Sequence, residues 1–133
     1  MTVETRVIVQ RDADIVTARQ LGREMAAQAG LSGSDLTVVA TAISEVARNI
    51  ISYAVCGEIV LSLTLKNGRQ GLMVVAQDEG PGIADIDQAM IDGFSTGRSL
   101  GLGLPGARRL MDEFEIVSKL GEGTTVTMRK WRR

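Results

Sequence analysis

Asp78-Glu79-Gly80-Pro81-Gly82-Ile83 joins an apolar strand to an acidic, glycine-rich turn, and this junction is the strongest single indication of the fold. Two other short elements flank it along the chain. Glu45-Val46-Ala47-Arg48-Asn49 lies inside an apolar helical run, and Gly101-Leu102-Gly103-Leu104-Pro105-Gly106 precedes another. In this order they offer a proton acceptor, an oxygen ligand for a metal ion, a carboxylate that can read a purine and a cradle for phosphate. Together they predict ATP chemistry.

Composition limits the classes of protein that the chain can represent. Its 133 residues are 44% hydrophobic and 23% charged, which is ordinary for a globular protein, and we assign residues 1–133 to one domain. The net charge of −1 argues against broad nucleic-acid or membrane-surface binding. Because the chain has no histidine, Ser-His and Cys-His catalytic pairs and a phosphohistidine are excluded. No signal pattern and no apolar run of about 20 residues occurs, so we expect a cytoplasmic protein.

Hydrophobic periodicity predicts a two-layer α+β sandwich. Helices are expected from residue 12 to near Gly30, over 36–54 after a cap at 32–35, over 85–91 and over 107–114, with a polar loop at 92–100. Strands are expected over 5–10, 58–66, 72–77, 115–120 and 124–131. Asn67-Gly68 predicts a two-residue hairpin turn, since both positions need a positive φ. The second helix carries one apolar stripe: Leu36, Val39, Ala40, Ile43, Ala47, Ile50 and Ala54.

Glu45 and Asn49 are neighbours on one face of that second helix, away from its apolar stripe. A carboxylate can take a proton from a hydroxyl, and an amide oxygen can ligate Mg²⁺. The pair alone is more typical of a solvated helix face than of a catalytic site.

Asp78 and the glycines after it suit a nucleotide base. A carboxylate can accept a hydrogen bond from the exocyclic amine of adenine, and Gly80 and Gly82 let the backbone approach a flat ring. An ordinary strand-end turn would use the same residue types.

The run from Gly101 to Gly106 matches the dinucleotide pattern G-x-G-x-x-G literally. Residues 94–99 before it do not form a strand, however, so the context of that pattern is missing. What remains is a set of small residues at a helix N-terminus, where backbone N–H groups favour phosphate.

As an ordered set, Glu-x-x-Arg-Asn, Asp-x-Gly-x-Gly-Ile, Gly-Leu-Gly-Leu and Gly-Glu-Gly-Thr resemble the GHKL (Bergerat-fold) ATP-binding domain of gyrase, Hsp90, histidine kinases and MutL. The resemblance implies a mixed, mostly antiparallel sheet covered on one face by helices. Residues 42–50, 92–96 and 104–114 are similar to one branch, the small serine kinases that control bacterial sigma factors and, among them, the RsbT-type switch kinases of the stressosome. Those kinases phosphorylate STAS-domain proteins and then bind a PP2C-type phosphatase.

The resemblance also implies a role for each site residue. Glu45 is expected to be the general base for the partner's serine, Asn49 the Mg²⁺ ligand and Asp78 the reader of adenine. Arg98 would reach the γ-phosphate of ATP, and Thr124 would support the adenine end. The remaining nucleotide-binding residues lie in the two glycine-rich elements: Gly80, Gly82, Ile83, Gly101, Gly103 and Gly106.

These implications predict an ATP- and Mg²⁺-dependent protein serine kinase that acts on a STAS-domain antagonist in a partner-switching pathway. Three alternatives stay open. The kinase could itself sequester a sigma factor; ATP could merely order a partner-binding regulator without catalysis; or the literal glycine match could mark a dinucleotide-binding oxidoreductase.

A basic cluster at the C-terminus, Arg129-Lys130-Trp131-Arg132-Arg133, has two interpretations. It is either the solvated end of the last strand or a docking site for an acidic partner.

Overall fold

The structure, a computed structural model, describes residues 4–54, 56–80 and 103–133. The predicted helix over 85–91 and loop over 92–100 lie outside these residues. Within them the chain forms three helices and five strands: β1 (Glu4–Val9), α1 (Asp12–Gln28), α2 (Ser34–Ala54), β2 (Gly57–Lys66), β3 (Arg69–Asp78), α3 (Gly103–Leu110), β4 (Glu113–Lys119) and β5 (Gly123–Trp131). None of the described helices is long and apolar enough to cross a membrane.

The strands form one sheet in the order β1-β2-β3-β5-β4. Every neighbouring pair of described strands is antiparallel. Asn67 and Gly68 have φ values of 53° and 77° and turn β2 into β3, as their sequence predicts. The α+β fold class is therefore confirmed, although this part of the sheet contains no parallel pair.

The core lies between one face of the sheet and helices α1 and α2. Alternate residues of β2, such as Ile59 and Leu61, are fully buried because side chains along a strand point to opposite faces. Ile43 and Ile50 of α2 are equally buried. Gly22 of α1 has no room for a Cβ, which would collide with Ile43 Cδ1. The two helices therefore approach closely at that glycine.

Two predicted elements near the C-terminus are displaced by a few residues. Helix α3 spans Gly103–Leu110 rather than 107–114, and β4 begins at Glu113 rather than 115. Pro105 is tolerated in the first helical turn, where its missing N–H would have no partner within the helix. After Leu110, the Asp112 backbone N–H donates to the Arg129 carbonyl (3.0 Å), which draws the chain into the sheet.

The basic cluster at the C-terminus is tied to the chain's own acidic residues. Asp112 lies 3.3 Å from Lys130 Nζ and accepts the Trp131 backbone N–H at 2.8 Å. Glu113 accepts the Trp131 indole N–H at 2.7 Å. Because Lys130 is only 5% exposed, the interpretation of this cluster as a solvated strand end is wrong at this residue. Arg133, which is more exposed, pairs with Asp35 at the start of α2.

Candidate active site

Helix α2 forms one wall of the site and presents Glu45 and Asn49 one turn apart. The expectation that this helix face lies in solvent is wrong for Glu45, whose side chain is only 13% exposed. Periodicity predicted one apolar stripe, but α2 packs against α1, the sheet and α3. Ala42, Ser44 and Val46, which are outside that stripe, are consequently buried as well.

The carboxylate of Glu45 is incompletely satisfied. Its Oε1 lies 3.5 Å from Arg48 Nη1, one turn along the helix. Its Oε2 is buried and finds no hydrogen-bond partner in the described part of the chain. A buried polar atom without a partner carries a penalty that a ligand hydroxyl could remove, so Oε2 points to a place where a ligand binds.

The Asp78 turn forms a second part of the site. The backbone N–H of Gly80 donates to Asp78 Oδ1 at 2.9 Å, so the carboxylate is held in one orientation. A Cβ on Gly80 would lie 2.6 Å from the Cβ of Ala54. Only glycine therefore lets this turn lie against the last residue of α2, in keeping with the close backbone approach expected from the sequence.

The start of β5 supports the same turn from the other side. Gly123 has a φ of +118°, and a Cβ there would collide with the Asp78 carbonyl oxygen. Thr124 pairs with Asp78 across the sheet, is 5% exposed, and its Oγ1 lies 2.8 Å from Ser118 Oγ. Thr124 is thus beside Asp78, as is Gly123, which is not among the site residues predicted from the sequence.

Helix α3 begins at Gly103, which has a φ of +51°, and packs against α2. Its first-turn N–H groups have no partners within the helix and carry partial positive charge. Gly106 is the fourth residue of α3 and is buried. The remaining predicted nucleotide contacts lie outside the described residues: Gly82, Ile83, Arg98 and Gly101.

The described elements place the predicted residues along the C-terminal half of α2. Glu45 and Asn49 lie on the helix, and Ala54, which contacts Gly80, is nine residues beyond Glu45, or about 14 Å along the axis. No group of three or more acidic, cysteine or histidine residues suited to a metal occurs in the described ranges. Asn49 is half-buried on α2 and offers an amide oxygen.

Comparison with known proteins identifies the family. Residues 8–130 match the histidine kinase-like ATPase domain. The chain belongs to this family. It is 48% identical over all 133 residues to the serine/threonine-protein kinase RsbT of Bacillus subtilis strain 168, with 100% of both chains covered. It is also 33% identical over 119 residues to the anti-sigma F factor of Thermoanaerobacter sp. strain X514, covering 86% of this chain and 82% of that one.

A solved structure, that of the RsbU and RsbW domains of Rv1364c from Mycobacterium tuberculosis, has the same fold. It matches with a TM-score of 0.61 and 25% identity over 98% of this chain, which spans 31% of that longer chain. These similarities confirm the expected enzyme class, a serine/threonine-protein kinase with an ATP-binding domain of the histidine kinase type. They also confirm the kinship with regulators of sigma factors.

Proposed function

We propose that this kinase transfers the γ-phosphoryl group of ATP, in a Mg²⁺-dependent reaction, to a serine of a STAS-domain antagonist in a cytoplasmic partner-switching pathway. The observation that carries this proposal is the buried Glu45 Oε2, which has no hydrogen-bond partner among the described residues. An incoming serine hydroxyl would supply the missing donor.

The Asp78 turn fits the adenine end of ATP. The Gly80 N–H holds Asp78 Oδ1, so Oδ2 is oriented to accept a hydrogen bond from the amine of the base. Gly80, which has no side chain, rests on Ala54 and keeps the turn narrow. Thr124, beside Asp78 in the sheet register, would support this end through its hydroxyl, which Ser118 holds.

The phosphates of ATP would lie between this turn and Glu45, near the start of α3. The N–H groups of the first turn of α3 would bind phosphate oxygens, since they lack helical partners. Gly101 and Gly82, with Ile83 and Arg98, are proposed to complete the nucleotide site.

Asn49 fits the oxygen chemistry of Mg²⁺, which commonly uses one or two protein oxygens together with substrate phosphates. Its amide oxygen would hold the ion, which supplies positive charge beside the phosphates. An acidic cluster is not needed for such a site.

In the transfer step, the serine oxygen forms a bond to the γ-phosphorus, and the bond from that phosphorus to the bridging oxygen of ADP breaks. Glu45 accepts the hydroxyl proton at Oε2 and orients the attacking oxygen. Positioning and proton acceptance are the contributions that a kinase fold can make to this reaction.

Similarity to known proteins supports the partners proposed. A relative with 48% identity over its full length is named RsbT, and a structural neighbour carries an RsbU domain in the same chain. We propose that, after phosphorylating its STAS-domain substrate, this protein binds and activates a PP2C-type phosphatase. The anti-sigma F factor relatives favour a second candidate, in which the kinase also holds a sigma factor.

The test is transfer of label from γ-labelled Mg-ATP to a purified STAS-domain protein from the same organism, with wild type and Glu45→Ala compared. We expect label on a serine of that protein, lost in the variant, while both bind ATP. Equal labelling by both would remove Glu45 from the mechanism. Binding of ATP without transfer by wild type would favour a non-catalytic regulator. Co-purification of a sigma factor, displaced by the unphosphorylated STAS protein, would favour the second candidate.

A further inference from the structure

Arg48 is the described residue that makes an ion pair with Glu45. The two side chains are one helical turn apart, with glutamate on the N-terminal side, a spacing that lets such side chains meet. The Arg48 side chain is 37% exposed, whereas that of Glu45 is 13% exposed. The guanidinium therefore reaches from the surface of α2 toward a carboxylate that is mostly covered.

The contact is asymmetric. Nη1 of Arg48 lies 3.5 Å from Oε1, and Oε2 is left buried without a hydrogen-bond partner from the described residues. At this distance the contact is an ion pair rather than a short charge-assisted hydrogen bond. A glutamate has several rotatable bonds and can point elsewhere, so a positive charge beside Oε1 favours the rotamer in which Oε2 stays without a hydrogen bond.

A second arginine–glutamate pair shows what an ordinary surface pair looks like in this protein. Arg6 on β1 lies 3.0 Å from Oε1 of Glu58 on β2, with side chains 59% and 28% exposed. The Arg6 side chain is more than half exposed and also lies 3.5 Å from Glu4, so this surface pair should have little effect on the rest of the protein. The pair on α2 differs because its carboxylate is covered and has a buried, unused oxygen.

We infer that Arg48 is a positioning residue for the phosphotransfer step: it holds Glu45 through Oε1 and thereby aims Oε2 at the acceptor hydroxyl. This inference rests on the proposed function. It assigns Arg48 no contact with ATP or with the acceptor protein. Loss of Arg48 should therefore slow the transfer step and leave binding of both substrates unchanged.

The experiment compares wild type with Arg48→Met, Arg48→Lys, Glu45→Gln and the double variant Arg48→Met/Glu45→Gln. Arg6→Met serves as the matched control, since it breaks the solvated pair by the same chemical change. Transfer from γ-labelled Mg-ATP to a purified STAS-domain protein from the same organism gives kcat and KM for both substrates. ATP affinity and thermal unfolding are measured on the same preparations.

We expect Arg48→Met to lower kcat about 10-fold or more, because misplacing a catalytic group by about 1 Å can cost a factor of 10². ATP affinity and both KM values should stay within twofold of wild type. Arg48→Lys should recover most of the rate, because an ammonium group can also pair with Oε1. Arg6→Met should match wild type. In the Glu45→Gln background, Arg48→Met should lower the residual rate by less than twofold, since residues that act through one another are not additive.

Wild-type kcat in Arg48→Met would overturn the inference. So would a raised KM for ATP or for the acceptor with kcat unchanged, because Arg48 would then bind a substrate directly. The inference would also be wrong if the double variant lost kcat by the product of the two single-variant losses. If Glu45→Gln transfers phosphate at the wild-type rate, both the proposed role of Glu45 and this inference are wrong. If Glu45→Gln is impaired but Arg48→Met is fully active, only this inference is wrong.

Discussion

Glu45 and Asp112 are two partly buried acidic residues, with side chains 13% and 27% exposed. They differ in how many of their carboxylate oxygens have hydrogen-bond or ion-pair partners. One oxygen of Glu45 has a distant ion pair, and the other has no partner among the described residues. Both oxygens of Asp112 are engaged, Oδ1 by Lys130 and Arg133 and Oδ2 by the Trp131 backbone N–H. A fully bonded carboxylate stabilises a fold, whereas a covered carboxylate with an unused oxygen is available for a ligand.

The largest expected effect is on the rate of phosphate transfer when Glu45, which has an unpaired carboxylate oxygen, is replaced. Glu45→Gln should lower phosphate transfer about 10²–10⁴-fold, because it removes the proton acceptor while keeping the shape. The free energy of unfolding should stay equal or rise, since the variant removes a covered charge that is poorly paired. Transfer assays and denaturant unfolding on one preparation measure both quantities. A large loss of stability with an unchanged transfer rate would show that Glu45 stabilises the fold and does not serve catalysis.

The next effect concerns the backbone beneath Asp78. Gly123→Ala should destabilise the protein by about 1–3 kcal/mol, because its φ of +118° and the nearby Asp78 carbonyl leave no place for a Cβ. ATP affinity should fall as well, since the Asp78 turn must move. Denaturant unfolding and ATP titration of the same variant measure the two effects.

Gly121→Ala is the control for this change. Its φ is also positive, at +79°, but a Cβ at that position would have no other atom within 4 Å among the described residues. We expect it to be less destabilising and to leave ATP affinity unchanged. Equal unfolding free energies and ATP affinities in the two variants would show that a side chain at position 123 does not disturb the Asp78 carbonyl.

Replacing Asp112, whose two oxygens both have partners, should affect stability more than the transfer rate. Asp112→Asn should lower the free energy of unfolding by about 1–3 kcal/mol, because Lys130, whose side chain is 6% exposed, loses its countercharge. The transfer rate per folded molecule should stay within about twofold of wild type, since Asp112 contacts the end of β5 rather than the site. Urea unfolding and transfer rates corrected for the folded fraction test this, and a rate loss in fully folded Asp112→Asn would contradict it.

The smallest effect should come from the exposed member of the same cluster. Arg133 is 68% exposed and pairs with Asp35 and Asp112 at 3.4 Å. Arg133→Gln should change the free energy of unfolding by about 0–1 kcal/mol, and the difference should shrink as salt is added. Urea unfolding at low and high salt measures it. A salt-independent loss larger than that of Asp112→Asn would show that Arg133, rather than Lys130, is the main partner of the cluster.

Much of the site could be predicted from the sequence because its signals are local. Glu45 and Asn49 are one helical turn apart, and Asp78 and Gly80 form a turn within three residues. Two features could not be predicted. The closeness of Gly123 to the Asp78 carbonyl depends on sheet pairing between distant strands. The low exposure of the Glu45 side chain, 13%, is not recorded in the apolar period of α2.

The sequence was sufficient for those elements whose cause lies within a few residues. Asn67-Gly68 makes its turn because both backbones accept a positive φ, and the apolar period of α2 makes a buried helix. Only the tertiary structure decided which acids are satisfied. The partners of Asp112 come from 18–21 residues along the chain, whereas Glu45 Oε2 is buried without a partner among the described residues. Hydrogen-bond partners and burial depend on the packing of distant segments, which no local pattern records.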